Sequence, residues 1–469
     1  MKCALGRQWS YAVLACSLLS SCANQTPRAP IVIPAHAVVG VQPKQLTPEF
    51  WIARESNAKK IVLDAQAISL QNSRLMELDP SVHDLGKMPP ALAAAEIRGW
   101  IEKISQYPDE DMYDDTGRKL EKTDFDALMQ GVALESVSES QRTRYGLVVK
   151  RADLRTFPTP MRAFTSAEDR DIDRFQESAL FPGTPVIMVH QSRDAKWWFV
   201  VSPQYAAWVE KRFIAEGAAD DVFAYTRKSP YLVVTGATVK TVFTPERPEV
   251  SELQLDMGVR VPVLADWPEA KPVNGQHPYT AHVIELPERA SDGSLRFAPA
   301  LLPRTEDTSG GYLPLNRANL LRQGFKFLGE RYGWGHSYNA RDCSGFVSDV
   351  YRSFGVQLPR NTRDQSVSPA LNRITFTAAD DHEHRLAVLR NLEVGDLVYI
   401  PGHVMMVIGH ENGMPYVIHD TTGISYRDAT GEVTRVPLNG VSVTPFTPLL
   451  FASRDSFVEH ITSILRVRP

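Results

Sequence analysis

The hydrophobic period changes twice along this chain, and that change limits the folds open to it more than any other feature. Up to about residue 132 apolar side chains recur at helical spacing, with runs at 61–76 and 91–104. Thr47-Pro48-Glu49 reads as the first helix start, with Thr47 as N-cap, Pro48 in the first helical position, and Leu46 and Trp51 spaced as a hydrophobic staple. From Tyr145 the pattern becomes short alternating runs, at 145–150, 185–190, 197–202 and 208–212, separated by turn residues. A similar set follows at 231–243, 259–265 and 279–286, and the turn Ser291-Asp292-Gly293 leads into 295–297. Beyond the flexible stretch Asp307-Thr308-Ser309-Gly310-Gly311, the helical period returns at 315–329. The length of 469 residues, about three times a ~150-residue domain, agrees with this segmentation. The expected order is a helical unit at 46–132, small β-barrels at 133–218 and 219–305, and a C-terminal domain at 306–469.

The first 45 residues have a different character. Lys2 and Arg7 precede an apolar stretch, 9–19, too short for a bilayer span of ~20 helical residues but suited to an export signal at 1–21. It ends in Leu19-Ser20-Ser21-Cys22, which resembles the bacterial lipobox. On that resemblance Cys22 becomes the first mature residue and carries three acyl chains, a practically permanent anchor at ~0.8 kcal/mol per buried CH₂. Ala23, not Asp, follows it, which in a Gram-negative source implies sorting to the outer membrane. Residues 22–45 then form a tether with Pro27, Pro30, Pro34 and Pro43. Of the four cysteines, Cys3 and Cys16 leave with the signal and Cys22 is acylated, so Cys343 alone remains as a free thiol. A hydrophobic share of 43% with 23% charged residues describes an ordinary water-soluble body. A net charge of −4 gives no basic footprint for nucleic acid.

Cys343 stands in the most informative stretch of the chain. Arg331-Tyr332-Gly333-Trp334-Gly335-His336 is followed by Arg341-Asp342-Cys343-Ser344-Gly345-Phe346. Phe346, Val347, Val350, Tyr351 and Phe354 recur at helical spacing, so Cys343 begins a helix, where unpaired N–H groups and the dipole favour thiolate. His403 lies in a β-type run, 397–408, from which a rigid strand can aim an imidazole at the sulfur as general base and then general acid. His419, in the run 416–419, is the candidate to orient that imidazole. A strict two-residue turn at Asn412-Gly413 would place His403 and His419 on opposite faces of the sheet, so a one-residue bulge is expected, with Pro415 its natural place and the turn irregular.

These segments, with Gly395-Asp396-Leu397 and Gly402-His403-Val404 in the same order, resemble the NlpC/P60 cysteine peptidase family, and Leu358-Pro359-Arg360 with Gln365 is similar to its connector after the nucleophile helix. The resemblance implies a multidomain α+β protein: an N-terminal helical unit, two SH3-like β-barrels and a papain-like peptidase domain. It implies hydrolysis of the γ-D-glutamyl-diaminopimelate amide in peptidoglycan stem peptides or muropeptides with a free N-terminal L-alanine, by a monomer needing no metal or organic cofactor. Cys343, His403 and His419 take the catalytic positions. Asp342 and Ser344 match positions that hold the substrate amine and backbone, and Tyr332 and Trp334 match the cleft wall, whereas His336 stands where many members have glycine. A carboxylate beside the thiol suits an ammonium but also raises the thiol pKa. A non-catalytic wall-binding lipoprotein and an acyltransferase on the same fold are the alternatives. Elsewhere, His410 reads as an exposed residue near a turn, Asp380-Asp381-His382-Glu383-His384 as a solvated loop without metal-ligand spacing, and Trp197, Trp198 and Trp208 as core. Tyr205 is a candidate to reach the cleft.

Overall fold

A computed structural model describes residues 40–468 together with residue 38. The apolar leader, Cys22 and most of the tether lie outside the described residues. Proline supplies the first helical position of α1 (Pro48–Ile52) as expected, but the Thr47 hydroxyl donates to the carbonyl of Lys44 (3.0 Å) and does not cap the helix. Both following apolar runs begin as strands before they become helices. Ile61–Leu63 is extended and Asp64 then caps α2 (Ala65–Leu78) by accepting from the Ala67 N–H at 2.8 Å. Ala91–Ala93 is likewise extended before α3 (Ala94–Ile104), and α4 (Lys122–Val132) follows.

The helices of 46–132 share no core of their own. The strand Ile61–Leu63 pairs antiparallel with Leu315–Asn316, and Trp51 and Ile68 pack with Leu321, Phe346 and Ile418. Ile97, Ile101 and Phe125, by contrast, pack with Ile187, Phe199 and Trp208 of the next region. The N-terminal segment is thus divided between two neighbours.

In 133–218, seven antiparallel strands run in the order Ile214–Gly217, Arg144–Val148, Pro185–Gln191, Trp197–Val201, Ala206–Glu210, Ala152–Arg155 and Gln176–Leu180. The two end strands do not pair with each other, so the SH3-like sheet is not a closed barrel. Val148, Leu154, Val186, Met188 and Val200 fill one face, and α3 and α4 cover the other. Trp197 and Trp208 are buried in it, whereas the Trp198 ring is covered by Arg144 and Lys211. The second β region opens with α5 (Ala219–Arg227), which periodicity did not reveal. Its strands form three small sheets around Leu232, Val234, Leu255, Val261, Ile284 and Ala300, again without closure.

The C-terminal region carries a six-stranded antiparallel sheet ordered Asn372–Thr375, Ser463–Arg466, Leu397–Ile400, His403–Glu411, Met414–Thr421 and Gly440–Pro445. The helices α6 (Arg317–Phe325) and α7 (Cys343–Arg352) pack on the face made by Val404, Met406, Ile408 and Ile418. Gly324 lets α6 approach closely, since a Cβ there would stand 2.7 Å from the Met406 methyl carbon. The short α8 (Thr362–Val367) follows the connector. On the other face Val398, Met405, Val407 and Val417 meet Phe446, Phe457 and Leu389 of α9 (His382–Leu389).

The hairpin at Asn412-Gly413 corrects the sequence reading in one respect. Its turn is regular, with Glu411 opposite Met414 and Pro415 paired normally with His410. The one-residue bulge lies between Val407 and Gly409, further along the same strand. Gly409 has φ 140°, and a Cβ on it would come within 2.9 Å of the Trp51 ring. A distant indole therefore occupies the room beside the bulge, which no local pattern could disclose. Trp51→Ala is expected to lower the unfolding free energy by about 3–5 kcal/mol, checked by urea denaturation.

Candidate active site

The position of Cys343 is set by its neighbour. Asp342 is the N-cap of α7, and its Oδ1 accepts from the Gly345 N–H at 2.8 Å while Oδ2 accepts from the Gly335 N–H at 3.0 Å. Arg360 completes the cage with guanidinium contacts of 3.1 and 2.7 Å to the two carboxylate oxygens, a contact of 2.9 Å to the Ser344 hydroxyl, and one of 2.6 Å to Ser178 of the first β region. Burial opposes the charge on Asp342, yet Arg360 holds its carboxyl below the usual range. Asp342 is thus a buried, neutralised cap whose acceptors are occupied. Ser344, too, is turned inward, donating to Asp342 at 3.2 Å.

Cys343 is 5% exposed and is the one free cysteine among the described residues. Its sulfur lies 3.5 Å from the Thr362 hydroxyl and against the backbone N–H of Val404, which places it beside the His403–Val404 end of the strand. His403 Nε2 meets His419 Nδ1 at 2.7 Å, and His419 Nε2 meets the Thr444 hydroxyl at 3.0 Å. In the assignment where each imidazole donates outward along this row, His403 Nδ1 keeps its lone pair. The bulge before Gly409 is what puts the two rings on one face.

Burial, rather than the helix dipole, dominates the electrostatics. It pushes the Cys343 thiol up to about 12, with Asp342 adding to the effect and Thr362 and Val404 opposing it. Burial pushes His403 down to about 4, and His419 lies well below the ordinary histidine value through burial and its neighbour His403. A neutral histidine brings no negative charge to raise His403, as a carboxylate would. Burial thus favours the uncharged form of both groups and opposes the thiolate suggested by helix position alone.

Tyr332 is buried beside the thiol, and burial followed by the thiol's charge holds its hydroxyl well above its usual pKa, so it stays a proton donor. Trp334 donates to the Gln176 carbonyl at 3.0 Å, and its ring carries the Arg174 guanidinium at 5.1 Å. Gly335 must be glycine for the same contact, because a Cβ would stand 2.8 Å from the Gln176 oxygen. Gln176 also donates to the Gly335 carbonyl at 2.9 Å, so the first β region forms one side of the site. His336 is buried under Gly345 with Nδ1 unpartnered, and burial lowers its pKa strongly. Tyr205 donates to Glu177 at 2.5 Å, and Thr156 donates to the same carboxylate at 2.6 Å.

Two groups escaped the sequence reading. Glu177 has no basic partner among the described residues, and nothing in its local sequence marks it. Asp420, next to His419, is fully buried with both carboxyl oxygens unpartnered, and burial followed by Asp342 raises its pKa well above the usual carboxylate range. A histidine followed by an acid in a strand was the only available signal. The remaining candidates lie outside the site: His410 is half-buried against the Leu389 carbonyl at 3.1 Å, and His382 pairs with Glu459 at 2.5 Å. Among the described residues no group of three or more His, Cys, Asp or Glu side chains is arranged to hold a metal ion.

With this geometry in view, residues 329–442 match the NlpC/P60 family and residues 162–210 match the SH3 domain of SH3b1 type. The chain therefore carries an NlpC/P60 domain, that of a cysteine-type peptidase, preceded by an SH3b domain. It is 27% identical over 220 residues to a γ-D-glutamyl-L-lysine dipeptidyl-peptidase of Bacillus cereus, covering 44% of this chain and 55% of the relative, so the match spans about half of that protein. The fold is similar to that of an NlpC/P60 endopeptidase from Photobacterium damselae subsp. piscicida, with TM-score 0.70 and 16% identity over 88% of this chain and 96% of the other. A NlpC/P60 family protein from Bacillus cereus aligns with TM-score 0.47 and 19% identity, covering 69% of this chain and all of the other.

A neutral resting pair has a kinetic signature. The alkylation rate of Cys343 by iodoacetamide should climb about tenfold per pH unit from pH 6 to beyond 9, because thiolate is generated only as pH approaches the raised thiol value. A preformed ion pair would give a plateau across that range.

Proposed function

We propose that this chain is a cell-wall endopeptidase that hydrolyses the γ-D-glutamyl-diaminopimelate amide of peptidoglycan stem peptides bearing a free N-terminal L-alanine. The observation that carries it is the thiol at the start of α7, beside the strand whose His403 is tied to His419 and Thr444. In the reaction the Cys343 proton passes to His403 Nδ1 as sulfur bonds the γ-glutamyl carbonyl carbon. The Cys343 backbone N–H and the Tyr332 hydroxyl meet the developing oxyanion. His403 then protonates the departing nitrogen, the C–N bond breaks and a thioester remains. Water, deprotonated by His403, cleaves the thioester and restores the thiol. His419 keeps the imidazole in register through the 2.7 Å contact.

The free amine falls to Glu177 rather than Asp342, because Arg360 already neutralises Asp342 whereas Glu177 is held only by hydroxyls. Tyr205 and Arg360 lie between Glu177 and the nucleophile's helix, on the side that the SH3b domain occupies. The enzyme acts as a monomer without metal or organic cofactor, anchored in the membrane by acylated Cys22 after removal of residues 1–21. The lipobox-like Leu19-Ser20-Ser21-Cys22 and the tether support that anchorage.

Cys343→Ala should lower cleavage of L-Ala-γ-D-Glu-diaminopimelate at least 10³-fold while leaving the circular dichroism spectrum unchanged, with products assigned by mass spectrometry. Retained cleavage refutes the nucleophile, and transfer products in place of free acid point to an acyltransferase. Cys22→Ala should move the full-length protein from the membrane fraction to the soluble fraction on cell fractionation, and unchanged partition refutes the anchor.

A further inference from the structure

The cavity beside His403 holds a charge pattern that the catalytic chemistry does not use. It has a volume of about 490 Å³ and is bounded by Tyr332, Trp334, His403, Thr421 and Phe457. Two guanidiniums line it, Arg174 from the SH3b domain and Arg435 from the strand Val433–Val436, and no carboxylate does. Arg174 has a buried Nε without a hydrogen-bond partner and rests on the Trp334 ring. Neither arginine makes an ion pair among the described residues, whereas the nearby acids are already engaged, Asp173 by Arg155 at 2.6 Å and Asp171 by Arg331 at 2.7 Å. Positive potential in the cavity is therefore uncompensated.

Resting on the peptidase reading above, the geometry points to the occupant. His403 must deliver its proton to the departing nitrogen, so the residue that leaves lies against His403, in this cavity. We infer that Arg174 and Arg435 select a leaving diamino acid whose far end carries a carboxylate beside its amine, as diaminopimelate does, over one that ends in an amine alone, as lysine does. Guanidinium and carboxylate form paired, charge-assisted hydrogen bonds, and at a half-enclosed site one such pair outweighs the contact it replaces in water. A lysine ammonium in the same space approaches two like charges with no acid to receive it. The Bacillus cereus relative is named for a lysine bond, so this cavity is where the two proteins should part in specificity.

The test uses the purified full chain with two peptides, L-Ala-γ-D-Glu-meso-diaminopimelate and L-Ala-γ-D-Glu-L-Lys, and compares kcat/KM by quantifying released L-Ala-D-Glu. The wild type should favour the diaminopimelate peptide by about tenfold or more. Arg435 is exposed, so its replacement spares the core. Arg435→Glu should bring the ratio to 1 or below, Arg435→Lys should keep its direction, and Arg174→Gln should reduce it through KM for the diaminopimelate peptide. Equal cleavage of both peptides, or a ratio that Arg435→Glu does not move, overturns the selection while leaving the peptidase reading standing. Cleavage of neither peptide by wild type overturns both.

Discussion

One buried guanidinium joins the parts of this molecule. Arg341 has no exposed surface, and it directs Nε to Asp349 at 2.9 Å, one terminal nitrogen to Glu330 at 2.9 and 3.0 Å, and the other to Asp256 at 2.8 Å and the Ala237 carbonyl at 2.7 Å. Asp256 and Ala237 belong to the second β region, and Asp256 also faces Arg151 of the first, at 3.5 Å. Arg352 adds a contact of 2.7 Å to Asp349. Three carboxylates are thus balanced by three guanidiniums in a place where removing one partner typically costs ~3–5 kcal/mol. Arg341 is separated from Cys343 by Asp342 alone, so the same bolt that docks the β regions fixes the residue before the cap of α7.

The two charged clusters on either side of Cys343 have complementary effects. Asp342 and Arg360 cancel, which supplies helix capping with little net charge beside the sulfur. Burial raises the pKa of Asp420 strongly, which disfavours a second negative charge beside the sulfur. What remains is a buried thiol whose charged form is disfavoured, at the end of a strand whose His403 is likewise held toward its neutral form. His419 meets His403 at 2.7 Å as an imidazole whose charged form burial disfavours, where a carboxylate would bring a negative charge.

Much of this could be read from residue order. The apolar spacing after Cys343 gave its helix, and the β-type run gave the strand of His403, because both patterns are local. The need for a bulge was also legible, since alternation in a hairpin allows no other way to bring His403 and His419 to one face. Its location was not, because Trp51 supplies the reason from far along the chain. Nor could spacing show that Arg360 consumes the charge of Asp342, a contact through which the connector changes the meaning of the residue before Cys343. The strands at Ile61–Leu63 and Ala91–Ala93 were hidden by the helical runs they introduce, and their partners, Leu315–Asn316 and Ser140–Arg142, lie outside those runs. The absence of barrel closure lies equally beyond a pattern that counts strands without saying which edges meet.

The seat of Trp51 against Gly409 also orders events in time. The indole emerges early from the ribosome, and the glycine that receives it follows only after some 350 further residues, roughly 20–70 s of synthesis at ordinary elongation rates. Throughout that interval both β regions can form, while the hydrophobic face around Trp51 has no socket. The module that carries the thiol is in this sense the first begun and the last completed, and a chain interrupted before the turn at Asn412-Gly413 leaves the Trp51 indole without its seat.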